Sequence, residues 1–129
     1  MKKVIYTNKA PDPVGPYNQA IFSNNTLYIS GQVALDPKSG KMINKSLKDE
    51  TNQVMNNLKT ILMEVGFDFN NVIKSTIYLT DMNNFEEVNE IYGSFFDGKN
   101  VPARVTVEVS RLPKNCLLYT SDAADDDTR

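Results

Sequence analysis

The 129-residue chain contains no histidine and a single cysteine, Cys116. These two shortages together exclude disulfide frameworks, cysteine-rich zinc sites and histidine-based acid–base catalysis. Any chemistry has to rest on carboxylates, hydroxyls, arginine, lysine, backbone amides or water. Basic clusters are missing too: 14 Lys and Arg against 16 Asp and Glu give a net charge of -2, spread without the electrostatic footprint of a nucleic-acid or anionic-membrane binder. Apolar runs are too short for a signal peptide or a spanning helix, so the cytoplasm is the expected compartment. A phosphate-binding glycine loop, paired metal ligands and a dinucleotide fingerprint are likewise absent, and cofactor-free chemistry is expected.

What is present is an ordinary globular composition, 40% hydrophobic and 23% charged, in a length suited to one two-layer core. Residues 3–7 alternate weakly and read as a first strand, followed by APDPVGP, whose prolines forbid helix. Residues 18–23 and 26–30 are β-prone and flank Asn24-Asn25, a pair that tolerates the positive φ of a tight hairpin, with Gly31 ending the second strand. Residues 36–40 have turn composition. From Leu47 to Val65 the apolar positions Val54, Leu58, Ile61, Leu62 and Val65 form one helical face, with Ser46 as N-cap and Gly66 as stop. Residues 72–79 read as a buried strand. A second helix presents Phe85, Val88, Tyr92, Phe95 and Phe96, with Asn83 or Asn84 as its cap and an end near Gly98. Over 104–109 strict alternation places Val105, Val107 and Val109 on one face and Arg104, Thr106 and Glu108 on the other, one for the core and one for solvent or ligand. The order predicts an α+β domain with helices on one sheet face.

Four places could carry chemistry. Arg104 could hold a small carboxylate in a bidentate fork, although a surface ion pair is the more ordinary role for such a residue. Tyr17 stands at the edge of a stiff loop, where its ring could wall a pocket or simply pack. Ser30 and Gly31, at a strand end, could expose backbone groups, since glycine allows close approach. Asn89 lies one position off the apolar stripe of the second helix, where it could reach a pocket rim or stay solvated.

The segments APxxxGPYxQA at residues 10–20, ISGQ at 29–32, NLK near Leu58, TDMNNFxxVN at 80–89 and PARVTVEVSRLPK at 102–114 run in order across residues 2–115, and together they resemble the Rid/YjgF family of enamine and imine deaminases. The resemblance implies a chorismate-mutase-like (YjgF-like) single domain with a six-stranded mixed sheet and two helices on one face. It also implies a homotrimer whose sheets form a central barrel, with sites between subunits. The implied reaction is hydrolytic deamination of 2-aminoacrylate, 2-aminocrotonate and their imine tautomers (2-iminopropanoate and 2-iminobutanoate) to 2-keto acids and ammonia. Carried onto this chain, Arg104 would hold the substrate carboxylate, while Tyr17, the Ser30-Gly31 backbone and Asn89 would line the pocket and orient the imine. An imine is already electrophilic, so the reaction needs mainly a fixed carboxylate, an oriented water and a proton source.

Two departures from the family pattern stand out. Thr106 occupies a position where several relatives have cysteine. After Arg-Leu-Pro-Lys, relatives continue in a last strand with an acidic residue that supports the attacking water, whereas here the string is CLLYTSDAADDDTR, with Tyr119 in place of that acid. Small and acidic residues replace β-alternation, and the string resembles the translation of a transposon-end sequencing adapter. Residues 1–115 are therefore expected to form the native domain and 116–129 a non-native tail replacing the last strand. Removing the tail's net charge of -3 takes the chain from -2 to +1. A phenol does not replace a carboxylate as a base near neutral pH, so this chain is expected to be a weak or inactive enzyme. The competing expectation is a non-catalytic small-carboxylate-binding regulator on the same scaffold.

Overall fold

The computed structural model describes residues 1–126. Its elements are β1 (Lys3–Ile5), β2 (Ala20–Ser23), β3 (Thr26–Gln32), α1 (Leu47–Glu64), β4 (Val72–Leu79), α2 (Phe85–Gly93), β5 (Ala103–Glu108) and β6 (Leu118–Asp125). The six strands form one mixed sheet in the order β1-β2-β3-β6-β4-β5. Every pairing is antiparallel except β4 with β5, which are parallel and joined through α2. The α+β class and the two helices are as the residue pattern predicts, and the six-stranded mixed sheet is as the family resemblance implies.

Local chemistry accounts for most boundaries. Asn24 and Asn25 turn the β2-β3 hairpin at φ 50° and 62°, the doubly left-handed geometry that matches strand twist. The Ser46 side chain accepts a hydrogen bond from the Asp49 amide at 3.0 Å at the start of α1, and Gly66 at φ 78° terminates it. The apolar stripe Val54, Leu58, Ile61 and Leu62 packs against Leu27, Ile29, Ile77, Leu79, Leu118 and Ala124 in one buried cluster.

Two expectations need correction, and one left open is settled. Strand β3 does not end at Gly31: it runs to Gln32 through an irregularity between Ile29 and Gln32, where the missing side chain lets the chain bulge without leaving the sheet. Helix α2 is shorter than its apolar stripe, ending at Gly93, and neither asparagine caps it through its side chain. The Asp81 carboxylate instead accepts from the Asn83 amide and starts a short 3-10 turn before the helix. On β5 the sequence left open which face meets the core: Val105 and Val107 are 45% and 37% exposed, while Arg104 lies over two rings of α2.

Residues 118–125 occupy the interior of the sheet, paired with β3 on one side and β4 on the other. Leu118, Thr120, Asp122 and Ala124 are buried and the residues between them are half-buried. An interior strand draws its hydrogen bonds from both neighbours whatever its side chains, so small residues are tolerated there. The cost falls on Asp122, which is 6% exposed. Its carboxylate accepts only from Ser75 Oγ at 3.2 Å and Thr120 Oγ1 at 3.3 Å, and burial pushes its pKa up to about 7. Residues 127–129 of the tail lie outside the described residues.

A carboxyl whose pKa is raised by folding stabilises the fold fully below its unfolded pKa near 4, and that contribution is lost as pH rises through the folded value of about 7. The difference corresponds to roughly 4 kcal/mol. Replacing Asp122→Ala is expected to raise Tm at pH 7.5 by about 5 °C or more and to change it little at pH 4, as read by calorimetry. Equal gains at both pH values would contradict a buried carboxylate at this position.

Candidate functional site

The proline loop before β2 is held in place by one buried side chain. Gln19 accepts from the Thr7 amide through Oε1 at 2.8 Å, and its Nε2 donates to the carbonyls of Thr7 at 3.0 Å and Pro11 at 2.9 Å. The loop so fixed carries Tyr17, whose hydroxyl accepts from the Val14 amide at 3.3 Å. Ser30 Oγ donates to the Asn18 carbonyl at 2.5 Å and the Ser30 amide to the Gln19 carbonyl at 2.9 Å, which joins the loop to β3. Tyr17, Ser30 and Gly31 thereby line one cleft of about 410 Å³ with Val14, Val33, Pro113, Lys114 and Tyr119.

Tyr119 reaches this cleft from β6. Its ring lies directly over Gly31, so closely that a β-carbon at Gly31 would overlap it, and it meets the Tyr78 ring edge-on with centroids 5.5 Å apart. Burial, with Tyr17 and Tyr78 close by, raises the Tyr119 pKa, so at neutral pH the group is a neutral phenol. Behind it, buried Glu50 accepts from the Leu117 amide at 2.6 Å and fixes the start of β6. Cys116 is buried and its thiol is pushed up to about 11 by burial and by Glu50, which removes it as a nucleophile near neutral pH.

Arg104 and Asn89 lie elsewhere on the chain. The Arg104 guanidinium sits 5.1 Å from the centroid of the Tyr92 ring and 5.6 Å from that of Phe85, a cation–π arrangement that fixes a flexible side chain. Asn89 is half-buried on α2 and shares a helix face with Phe85 and Tyr92 by its spacing. The Tyr92 hydroxyl donates to Ser75 Oγ at 2.8 Å, and Ser75 in turn donates to Asp122. Burial pushes the Tyr92 phenol up to about 12, which keeps it a neutral donor. The Thr106 hydroxyl, two residues along β5, is buried with no hydrogen-bond partner.

The chain thus carries two clusters. One holds Tyr17, Ser30, Gly31 and Tyr119, and the other holds Arg104, Asn89 and their aromatic support. Between β3 and β5 lie two strands, a separation of about 14 Å across the sheet. Gln19, Glu50 and Tyr92 were not singled out in the sequence. A polar residue flanked by a proline loop, or an acid among the apolar positions of α1, is a faint signal, and Tyr92 reads only as a core aromatic. Among the described residues, no helix is long and apolar enough to cross a membrane, and no group of three or more Cys, Asp or Glu is placed to hold a metal ion.

A hairpin and a βαβ unit, interleaved by the last strand and backed by two helices, with polar clusters at separate parts of the sheet, define a class of small single-sheet α+β proteins. Residues 7–118 match the family model described as Endoribonuclease L-PSP. Over 118 residues the chain is 52% identical to a RutC family protein of Pyrococcus horikoshii, covering 92% of this chain and 93% of that one. It is 49% identical over 114 residues to the mouse protein named 2-iminobutanoate/2-iminopropanoate deaminase, covering 88% and 84%. Among solved structures, RidA from an Antarctic Psychrobacter superposes with a TM-score of 0.92 at 35% identity, covering 96% of this chain and 99% of that one. Escherichia coli TdcF with bound serine superposes at 0.91 with 33% identity, covering 97% and 99%. The chain belongs to the YjgF/RidA family.

Substituting Gln19→Ala leaves the Thr7 amide and the carbonyls of Thr7, Ala10 and Pro11 without this partner, and the expected loss is about 1–3 kcal/mol of stability. Hydrogen exchange at Thr7 should accelerate in step. Unchanged protection there would mean that the loop is held by something other than Gln19.

Proposed function

We propose that this chain carries the scaffold of a hydrolytic imine deaminase acting on 2-aminoacrylate and 2-iminopropanoate and on 2-iminobutanoate, as a cytoplasmic homotrimer with sites between subunits and without a cofactor. The observation that carries this reading is the division of the polar groups into two clusters on one protomer, an arrangement that a neighbouring copy can complete. The helix-free sheet face supports it as well, since Tyr28, Ile73, Val105 and Val107 are all more than a third exposed there, more apolar surface than a lone domain usually leaves open. Relatives named as deaminases, and the serine bound to TdcF, fit a small amino-acid-like ligand.

In this reading Arg104, held against Phe85 and Tyr92, grips the substrate carboxylate, while Asn89 and, from a neighbouring copy, Tyr17 and the Ser30-Gly31 backbone orient the imine. Water adds to the imine carbon, its proton passes to nitrogen, and the resulting carbinolamine expels ammonia to leave the 2-keto acid. A fixed carboxylate and an oriented water supply most of what this step requires. Ribonuclease action, which the family description names, is less well supported: the chain has no histidine, and its 14 basic residues are outnumbered by 16 acidic ones.

Residues 116–129 belong to the non-native tail in this reading. The family match stops at residue 118, and Asp122 is a carboxylate in the core with two hydroxyl partners, which evolved strands avoid. Tyr119 then stands where the water-supporting acid belongs, and its ring covers Gly31. As it stands, the chain is a poor catalyst.

The double variant Tyr119→Glu with Asp122→Ala is expected to raise keto-acid release from freshly generated 2-aminoacrylate by about 100-fold or more over the unaltered chain. Adding Arg104→Ala should abolish the gain. A folded, trimeric double variant with no acceleration would overturn the deaminase reading in favour of a non-catalytic carboxylate-binding protein.

A further inference from the structure

Arg104 is held by rings alone. Its Cζ lies 5.1 Å from the Tyr92 centroid and 5.6 Å from that of Phe85, yet among the described residues its guanidinium donates no hydrogen bond and forms no ion pair. None of its nitrogens is buried without a partner, so its N–H groups are open to solvent. Every donor of a guanidinium lies in its plane, in a fork that matches a carboxylate. A contact made through rings fixes the side chain and leaves those donors free for an anion.

The Tyr92 ring is itself tied to the strand beside Arg104. In the parallel β4-β5 pairing Ser75 is the residue opposite Arg104, and the Tyr92 hydroxyl, arriving from α2, donates to Ser75 Oγ at 2.8 Å. A closed circuit results: Arg104 to Ser75 through the sheet, Ser75 to the Tyr92 hydroxyl, and the Tyr92 ring back to the guanidinium. Ser75 is fully buried and Tyr92 is 5% exposed, so water does not compete for their bond. The Asp122 carboxylate takes the Ser75 hydrogen but is not needed to close the circuit, whose members all lie outside residues 116–129.

We propose that Ser75 and Tyr92 are positioning residues for carboxylate binding, which act through Arg104 by setting the place of its guanidinium before the ligand arrives. The inference rests on the reading in which Arg104 grips the carboxylate of a small monocarboxylic imino acid. A free arginine gives up rotamer freedom each time it binds, whereas one already seated on a ring has given it up on folding. The Tyr92 hydroxyl contributes because a ring held only by packing against Phe96, with centroids 4.8 Å apart, can tilt, and the guanidinium moves with it.

The test is calorimetric titration of pyruvate into the full chain, with the NMR shift of the Arg104 δ-methylene protons, moved upfield by the rings, as a second readout. Tyr92→Leu is expected to weaken pyruvate binding about 5-fold and to remove most of the upfield shift. Tyr92→Phe and Ser75→Ala, which keep the ring and delete the hydrogen bond, should each weaken binding about 2-fold and alter the shift, with no further loss when combined. Leu62→Ala, a core substitution in α1, controls for lost stability and should leave affinity and shift unchanged. An equal loss of affinity in Leu62→Ala, or full affinity with an unaltered shift in Tyr92→Phe and Ser75→Ala, would overturn the proposal and leave the Arg104 reading standing. Pyruvate binding that is undetectable in the unaltered chain, or undiminished in Arg104→Ala, would overturn that reading and the proposal together.

Discussion

The fold depends on the insertion of β6 between β3 and β4. Without it the sheet divides into a three-stranded antiparallel piece, β1-β2-β3, and a parallel pair, β4-β5, and each exposes a strand edge. The chain brings its last strand into that gap through a turn secured by Pro113, Glu50 and buried Cys116. An interior strand is held mainly by its ladder of backbone hydrogen bonds, so the requirement on its sequence is loose: extended conformation and side chains small enough to fit beneath α1. Leu118 and Ala124 meet that requirement at its two ends, while Asp122 violates it in the middle.

The same insertion distributes the polar clusters. Because β6 and β4 separate β3 from β5, the hairpin and its proline loop present one set of polar groups and the βαβ unit presents another. Along one row of the sheet Ile29, Asp122, Ser75 and Arg104 are in register on four neighbouring strands. The row connects the Arg104 cluster to the sheet interior through Tyr92 and Ser75, so the arginine is braced from the core as well as by the rings on α2. Bracing of this kind matters for a side chain with many rotamers, because an unheld guanidinium gives up conformational entropy each time it binds.

Most of the architecture was legible in the sequence because its signals are local. The Asn24-Asn25 hairpin, the Ser46 cap, the Gly66 stop and the stripe from Val54 to Leu62 each depend on a few neighbouring residues. Legibility ended where a property depends on distant partners. The alternation over 104–109 showed two faces but not which of them meets the helices: the arginine lies against α2 and the valines stay open. Gln19 and Glu50 could not be recognised as anchors, since the backbone groups they hold come from elsewhere in the chain. The candidates Tyr17, Ser30 and Gly31 do come together, whereas Arg104 and Asn89 form a second group that no spacing along the chain reveals.

The tail separates what a sheet demands of a strand from what a site demands of a residue. Positions 118–125 each pair with at least one neighbouring strand, and 120 and 122–124 pair with both, despite a composition of small and acidic residues, because the backbone ladder and small volumes suffice. Position 119 is different: the cleft wall is formed there by a neutral phenol lying across Gly31, and backbone pairing cannot turn that group into a carboxylate. A segment of small and acidic residues can therefore preserve the fold, while leaving a thermodynamic trace three residues on from Tyr119, at the buried Asp122 carboxyl. Structural likeness to the family fixes the backbone here more closely than it fixes the side chain that stands over Gly31.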